Sequence, residues 1–275
     1  MRKKYFFILV SIVIFVNIIS FIYGQSTGFE VSPFLIKSVL ERGESISHKV
    51  TITNFEESQT FDIIPNADFI SVDIEELNLN KDEEGSFNVV LDSMNFREDI
   101  YVGKITVSGE NKEIDLPIIL EIQTAFSLAD VSIEVPQGFS GVVPGGDFVV
   151  DINAHKLKGQ VDDFVLEYFV RNLDGKVIFF DQQDLRVGKQ TSITKTIPIP
   201  EDALGDYVFS VSIKDKTGVS TGTSSFPFLV SESPELKTKS NYYLFISFGI
   251  IMVLIIAFLI FNHFWNKRII TTARE

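Results

Sequence analysis

Near the end of the chain, Gly218-Val219-Ser220-Thr221-Gly222 fits G-x-S-x-G, the spacing that exposes a nucleophilic serine on a sharp strand-to-helix turn. That chemistry needs a helix after the turn and a later histidine to take the hydroxyl proton. The residues after Gly222 are instead Ser- and Phe-rich strand sequence, and the one later histidine, His263, falls in an apolar run. Small residues alternating on a strand account for the motif without catalysis. His48 lies in an alternating pattern and reads as a half-buried strand residue, while His155, beside Lys156 and Lys158, reads as a solvated turn. Three histidines and no cysteine do not make the usual zinc site. Gly188-Lys189-Gln190-Thr191 lacks the preceding glycine of a P-loop.

Carboxylates are plentiful: Glu56-Glu57, Asp73 with Glu75-Glu76, Asp82-Glu83-Glu84, Glu98-Asp99, Asp162-Asp163, and Asp181 with Asp184. None stands in the D-x-[DN]-x-[DN]-G loop that gathers oxygens around calcium, which leaves only an ion site assembled from separate loops. Glycoside hydrolysis needs two carboxylates facing across a sugar cleft, and a two-sandwich stalk offers no obvious cleft. The sequence therefore assigns no catalytic, cofactor-binding or metal-binding residue, and the protein reads as a non-enzyme that needs no cofactor.

The elements that would position any binding residue begin with two apolar runs. Arg2, Lys3 and Lys4 precede an apolar run at 5–23, and Gly24 ends it, the order of a secretory signal peptide cleaved after Gly24. Its 19 residues approach bilayer-spanning length, so an uncleaved signal anchor is the alternative. The second run, 242–265, has 24 residues without Asp, Glu, Lys, Arg or Pro. As a helix it measures about 36 Å against a hydrocarbon core of about 30 Å. Tyr242 and Tyr243 at one end and Trp265 at the other are placed for the membrane interface, and Lys267 and Arg268 mark the cytoplasmic flank. These five are the predicted membrane-interface residues.

Between the runs the pattern has period two. Val50 and Ile52, with Ile46 and His48, alternate with Ser47, Lys49, Thr51 and Thr53; Phe87, Val89 and Leu91 repeat the alternation. A hairpin at 105–122 turns through 109–112 and closes a first domain. Between Ile74 and Leu77 the apolar phase slips by one residue, which predicts a bulge or a strand break at Glu75-Glu76. A second set starts with Val131, turns at Pro144-Gly145-Gly146, and runs through Phe148, Val150 and Ile152. It continues through Phe164–Val170, the Asn172-Leu173-Asp174-Gly175 turn, and strands at 193–199, 207–213 and 226–230. The resulting expectation is an all-β protein of two tandem Ig-like β-sandwiches with an N-terminal signal helix and one C-terminal transmembrane helix. Its parts are 1–24 (signal), 25–124 and 125–230 (sandwiches), 231–241 (stalk), 242–265 (membrane helix) and 266–275 (cytoplasmic tail).

Phe29-Glu30-Val31-Ser32-Pro33, Gly43-Glu44-Ser45 before Val50-Thr51-Ile52-Thr53-Asn54, and Tyr101-Val102-Gly103-Lys104-Ile105 give the first domain a resemblance to the Ig-like modules of prokaryotic envelope proteins. Among these are the Ig-like domains appended to alpha-galactosidases. In the second, Asp202-Ala203-Leu204-Gly205-Asp206-Tyr207 is similar to the approach to a tyrosine corner. The layout resembles the WxL-interacting surface proteins, membrane-anchored scaffolds of bacterial envelopes. These resemblances imply fold more than function.

A formal net charge of -13 disfavours nucleic acid and anionic lipid as partners, and the stretch between the apolar runs is more negative still because both flanks are basic. The cysteine-free exported part points to a prokaryotic source. The expected protein is a single-pass cell-membrane protein with its N-terminal part outside, binding other envelope or surface proteins, or itself, in adhesion or scaffolding. The alternatives are an accessory subunit docking through its membrane helix and, further off, a surface glycan hydrolase.

Overall fold

Strands form wherever apolar and polar residues alternate between turn-forming residues, because each strand can then bury one face and wet the other. The computed structural model describes residues 28–124, 127–136, 141–158 and 163–232, and every element in them is a strand. The apolar runs at 5–23 and 242–265, with Tyr242, Tyr243, Trp265, Lys267 and Arg268, lie outside the described residues. Among the described residues no helix is long and apolar enough to cross a membrane.

The first nine strands are β1 (Phe29–Ser32), β2 (Ile36–Glu41), β3 (Ser45–Asn54), β4 (Gln59–Pro65), β5 (Ile70–Val72), β6 (Glu76–Leu79), β7 (Glu84–Asp92), β8 (Ile100–Ser108) and β9 (Glu113–Gln123). They make two sheets, ordered β1-β3-β7-β5 and β2-β9-β8-β4-β6, over a shared core that includes Phe61, Phe87, Ile52 and Leu120. The phase slip at Glu75-Glu76 is a change of sheet. β5 pairs with β7 and β6 pairs with β4, so the chain crosses the sandwich between them, and the inward-facing parity restarts on the far side. Ile46 departs from expectation: it is exposed, because β3 runs past the covered part of its sheet before the apolar face begins at Val50.

The remaining strands are β10 (Ala129–Glu134), β11 (Gly141–Val142), β12 (Asp147–Lys156), β13 (Asp163–Asn172), β14 (Val177–Arg186), β15 (Gln190–Pro198), β16 (Gly205–Lys214) and β17 (Ser220–Val230). The sheets β10-β12-β15 and β11-β17-β16-β13-β14 enclose a second core around Phe148, Phe164, Tyr168 and Phe209, in which Phe148 and Phe228 stack at 4.3 Å. Tyr207 is buried at the start of β16 and its hydroxyl pairs with the backbone of Leu204, three residues upstream, which is the tyrosine-corner arrangement.

The two sandwiches are not strung end to end as a stalk. The outer faces of β8 and β9 lie against the outer faces of β16 and β17, where Ile100, Val102, Ile119, Leu173 and Val208 form a third apolar cluster. This explains why β9 abandons alternation: Ile118 through Ile122 are all buried, since one face meets the first core and the other meets the neighbouring sandwich. β16 shows the same double burial from Tyr207 to Ile213.

Candidate interaction surface

The contact between the sandwiches orients everything else. At its centre Glu121 is 3% exposed, and its carboxylate takes an ion pair from Lys37 Nζ at 2.9 Å and a hydrogen bond from Ser225 Oγ at 2.5 Å. Lys37 also donates to the Ser225 carbonyl at 2.9 Å, so the buried charge is both neutralised and hydrogen-bonded. Gln123 Nε2 donates to Thr223 Oγ1 at 3.3 Å, and Arg171, stacked 3.9 Å over Phe169, donates to the Ile100 carbonyl. Burial pushes the Arg171 guanidinium below its ordinary value, opposed by Asp99. At the far side Asn66 donates to the Leu173 carbonyl and Lys104 pairs with Asp174 at 3.3 Å. Lys104 itself is held above its usual range, chiefly by the hydrogen bond it gives Asp115.

Gln123 opposite Thr223 and Glu121 opposite Ser225 mean that β9 and β17 run in opposite directions across this contact. One end of the pair therefore carries the start of β9 and the end of β17. The other carries the end of β9 and the start of β17. Val142, Gly205 and Val230 share the first end, since β11 pairs with β17 at Val230 and Gly205 also registers with Val230. The turn Asp215–Gly218, the end of β12 and the β14–β15 connection occupy the second.

Among the described residues the serine of the G-x-S-x-G spacing meets no histidine. Ser220 lies on β17 with its hydroxyl on Ser212 at 2.9 Å, both buried. Gly218 serves the turn at φ +84, and a Cβ on Gly222 would stand 2.5 Å from the Ala129 carbonyl, because β10 crosses directly over it. The G-x-S-x-G spacing is thus a turn glycine and a packing glycine. Ser38 and His48, which the sequence did not connect, meet at 2.7 Å across β2 and β3. Ser38 is buried, and among the described residues no carboxylate bonds the other imidazole nitrogen, so the pair ties two sheets together. His155 is on the outer face of β12, opposite Asp130 and Gln190.

Three carboxylates of the acidic clusters are engaged locally. Asp73 accepts from the backbone and side chain of Asn88, both at 2.7 Å, and these bonds hold its carboxyl below the usual range. Asp163 is lowered by Lys216 and Asp181 by the Tyr168 hydroxyl. Among the described residues no three of His, Asp and Glu come together as a metal-holding group. A shallow recess of about 430 Å³, lined by Phe55, Glu56, Glu57, Gln59, Lys81, Glu110 and Asn111, sits at the first end. Its polar atoms are partly engaged already: Gln59 donates to Asn54 and accepts from the Glu110 N–H.

Sheet edges are the next candidates. β14 and β15 are the long unpaired edges of the second sandwich. Both carry polar groups turned toward the space between the sheets. Asp181 on β14 accepts from Tyr168, and Lys195 on β15 donates to Gln183 at 2.6 Å while lying 4.8 Å over the Tyr168 ring. A register irregularity at Val170/Arg171 further distorts β14. Inward charges and bulges discourage a foreign strand from adding at an edge.

No family model and no curated protein matches the chain. Among solved structures, a protein of unknown function from Porphyromonas gingivalis W83 is similar over 72% of this chain and 99% of its own, at 11% identity and TM-score 0.41. The D0-D1 domain of intimin is similar over 74% of this chain and 98% of its own, at 12% identity and TM-score 0.36. The CARDB domain of a Pyrococcus furiosus protein, in complex with di-metal ions, is similar over 40% of this chain and 94% of its own, at 14% identity and TM-score 0.30.

Proposed function

We propose that this is a membrane-tethered surface protein whose two Ig-like sandwiches form one rigid unit and bind another component of the cell envelope or of a neighbouring surface. The observation that carries the reading is the order of segments along the chain. The chain leaves the folded part at Val230, and 242–265, an apolar run of spanning length, comes after 231–241, which reaches about 36 Å when extended. Binding rather than catalysis is supported by the pairing of Ser220 with Ser212 and of Ser38 with His48, and by the local engagement of Asp73, Asp163 and Asp181.

Because the chain has no cysteine, single introduced cysteines report topology cleanly. In intact cells a membrane-impermeant maleimide is expected to label Ser47→Cys and to leave Thr272→Cys unlabelled until the membrane is opened. Labelling of Thr272→Cys alone in intact cells would overturn the orientation, and recovery of the protein in the soluble fraction would overturn the anchor.

A further inference from the structure

Phe29 and Val230, where the two sandwiches begin and end, lie at the same end of the pair. Lys112 Nζ donates to the Phe29 carbonyl at 3.3 Å, and a Cβ on Gly109 would stand 3.2 Å from the Phe29 ring, so β1 begins beside the turn that leads into β9. β17 finishes at that end too, because it runs opposite to β9 across the junction. The sandwiches are therefore folded back on one another like the arms of a hairpin, with the covalent link from β9 to β10 at the far end. Each arm closes over its own core, whereas the junction holds five buried apolar residues and a row of polar contacts. The face that β16 and β17 turn toward the first sandwich is lined with hydroxyls: Ser210, Ser212, Thr223 and Ser225 are all buried. Ser212 bonds Ser220, Ser225 bonds Glu121 and Thr223 accepts from Gln123, but the Ser210 hydroxyl has no partner among the described residues. Such a face wets at little cost, and separation gives Ser210 the hydrogen bond it lacks in the closed pair.

We propose that the junction is a tension-opened latch: unloaded, the pair is one rigid unit, and when it is pulled apart at the shared end the sandwiches separate as folded bodies before either unfolds. The order of the bonds explains why. Load applied at Phe29 and Val230 falls first on Lys104–Asp174, since Lys104 is in register with Pro117 near the start of β9. It passes next to Lys37, Glu121 and Ser225, and last to Gln123 and Thr223. These contacts break one after another, so each bears the load almost alone. Inside the first sandwich the geometry is the reverse: β2 and β9 run parallel through six pairs, from Ile36–Ile118 to Glu41–Gln123, and a pull along them loads all six together. Opening lengthens the protein by about 70 Å, twice the length of an 11-residue strand such as β9, with both cores intact. The proposal rests on the reading of a tethered surface binder, because holding a partner from a tether is what puts the protein under tension.

The test is optical tweezers on the full-length protein in neutral detergent, held by DNA handles at Glu30→Cys and Leu229→Cys, the only thiols in the chain. The expected trace shows a reversible step of about 70 Å at low force. Two steps of roughly 300 Å follow as the sandwiches unfold, since a released chain reaches about 3.3–3.6 Å per residue. In this background Lys37→Ala should lower the force of the short step and Ser210→Ala should raise it. Both should leave the two long steps in place, which shows that each sandwich is still folded. Long steps with no short step before them, or a short step that either substitution leaves unmoved, overturn the proposal. Labelling of Thr272→Cys alone in intact cells would overturn the surface reading while leaving the tweezers result standing.

Discussion

Gly222→Ala is a sharp probe of how the second sandwich is closed. The added Cβ would sit 2.5 Å from the Ala129 carbonyl oxygen and 3.2 Å from Asp130 Cα, both backbone atoms, where ordinary contact begins at 3.4 Å. β10 would have to retreat by roughly 1 Å. It is not free to do so, because six consecutive residues from Ala129 to Glu134 are paired with β12 and Ala129 is fully buried. Overpacking of this kind costs about 1–3 kcal/mol. Removing a glycine from the unfolded chain returns about 0.4–1 kcal/mol. The net loss, between about 0 and 2.6 kcal/mol and centred near about 1.3, corresponds at its centre to a melting temperature lower by about 3–5 °C for a folded part of this size. Differential scanning calorimetry of the full-length protein in detergent measures it. Gly188→Ala is the matched control: nothing lies within 4 Å of its Cβ position, so its melting temperature should equal or exceed that of wild type. If Gly222→Ala melted with Gly188→Ala, the close crossing of β10 over β17, and the packing account of the second motif glycine, would be refuted.

Other expectations arise from the junction and the carboxylates. Ile119→Ala, at a fully buried position between the sandwiches, should cost about 2–5 kcal/mol in urea unfolding. Lys37→Ala should destabilise by about 1–3 kcal/mol, because it leaves the Glu121 carboxylate buried with only Ser225, whereas Lys37→Met/Glu121→Leu should be nearly neutral; equal losses in both would refute the unpaired-charge account. Tyr207→Phe should cost about 0.5–1.5 kcal/mol by removing the bond to the Leu204 backbone, read as a lower urea midpoint. Asp73, Asp163 and Asp181 all titrate lower in the folded protein than in the unfolded chain, so the stability they add is present above about pH 4 and is lost as the pH falls below it. Asp73→Asn should flatten the acid limb of a stability–pH curve, and an unchanged limb would show that the Asn88 bonds do not matter.

Strand positions were legible in the sequence because one-sided burial writes itself as alternation: Val50/Ile52, Phe87/Val89/Leu91 and Phe148/Val150/Ile152 face their cores as the pattern requires. The tyrosine corner was legible for a similar reason, since its bond spans three residues and depends only on local chain geometry. The slip at Glu75-Glu76 was visible as a fault in the pattern, but its meaning, a crossing from one sheet to the other, depended on β6 finding β4 in place of β7.

The candidate surface was the least legible part. Ile118-Ile119-Leu120 broke alternation in plain view, yet an extra isoleucine looks the same in sequence whether it meets solvent or a neighbouring domain. By itself the sequence determined the strand periodicity, the turns and the two flanking apolar runs, which are consequences of each residue's own preference for water or for its near neighbours. Tertiary structure alone decided which sheets face each other and why Glu121 can be buried, because those depend on contacts between residues about a hundred positions apart, such as Glu121 with Ser225.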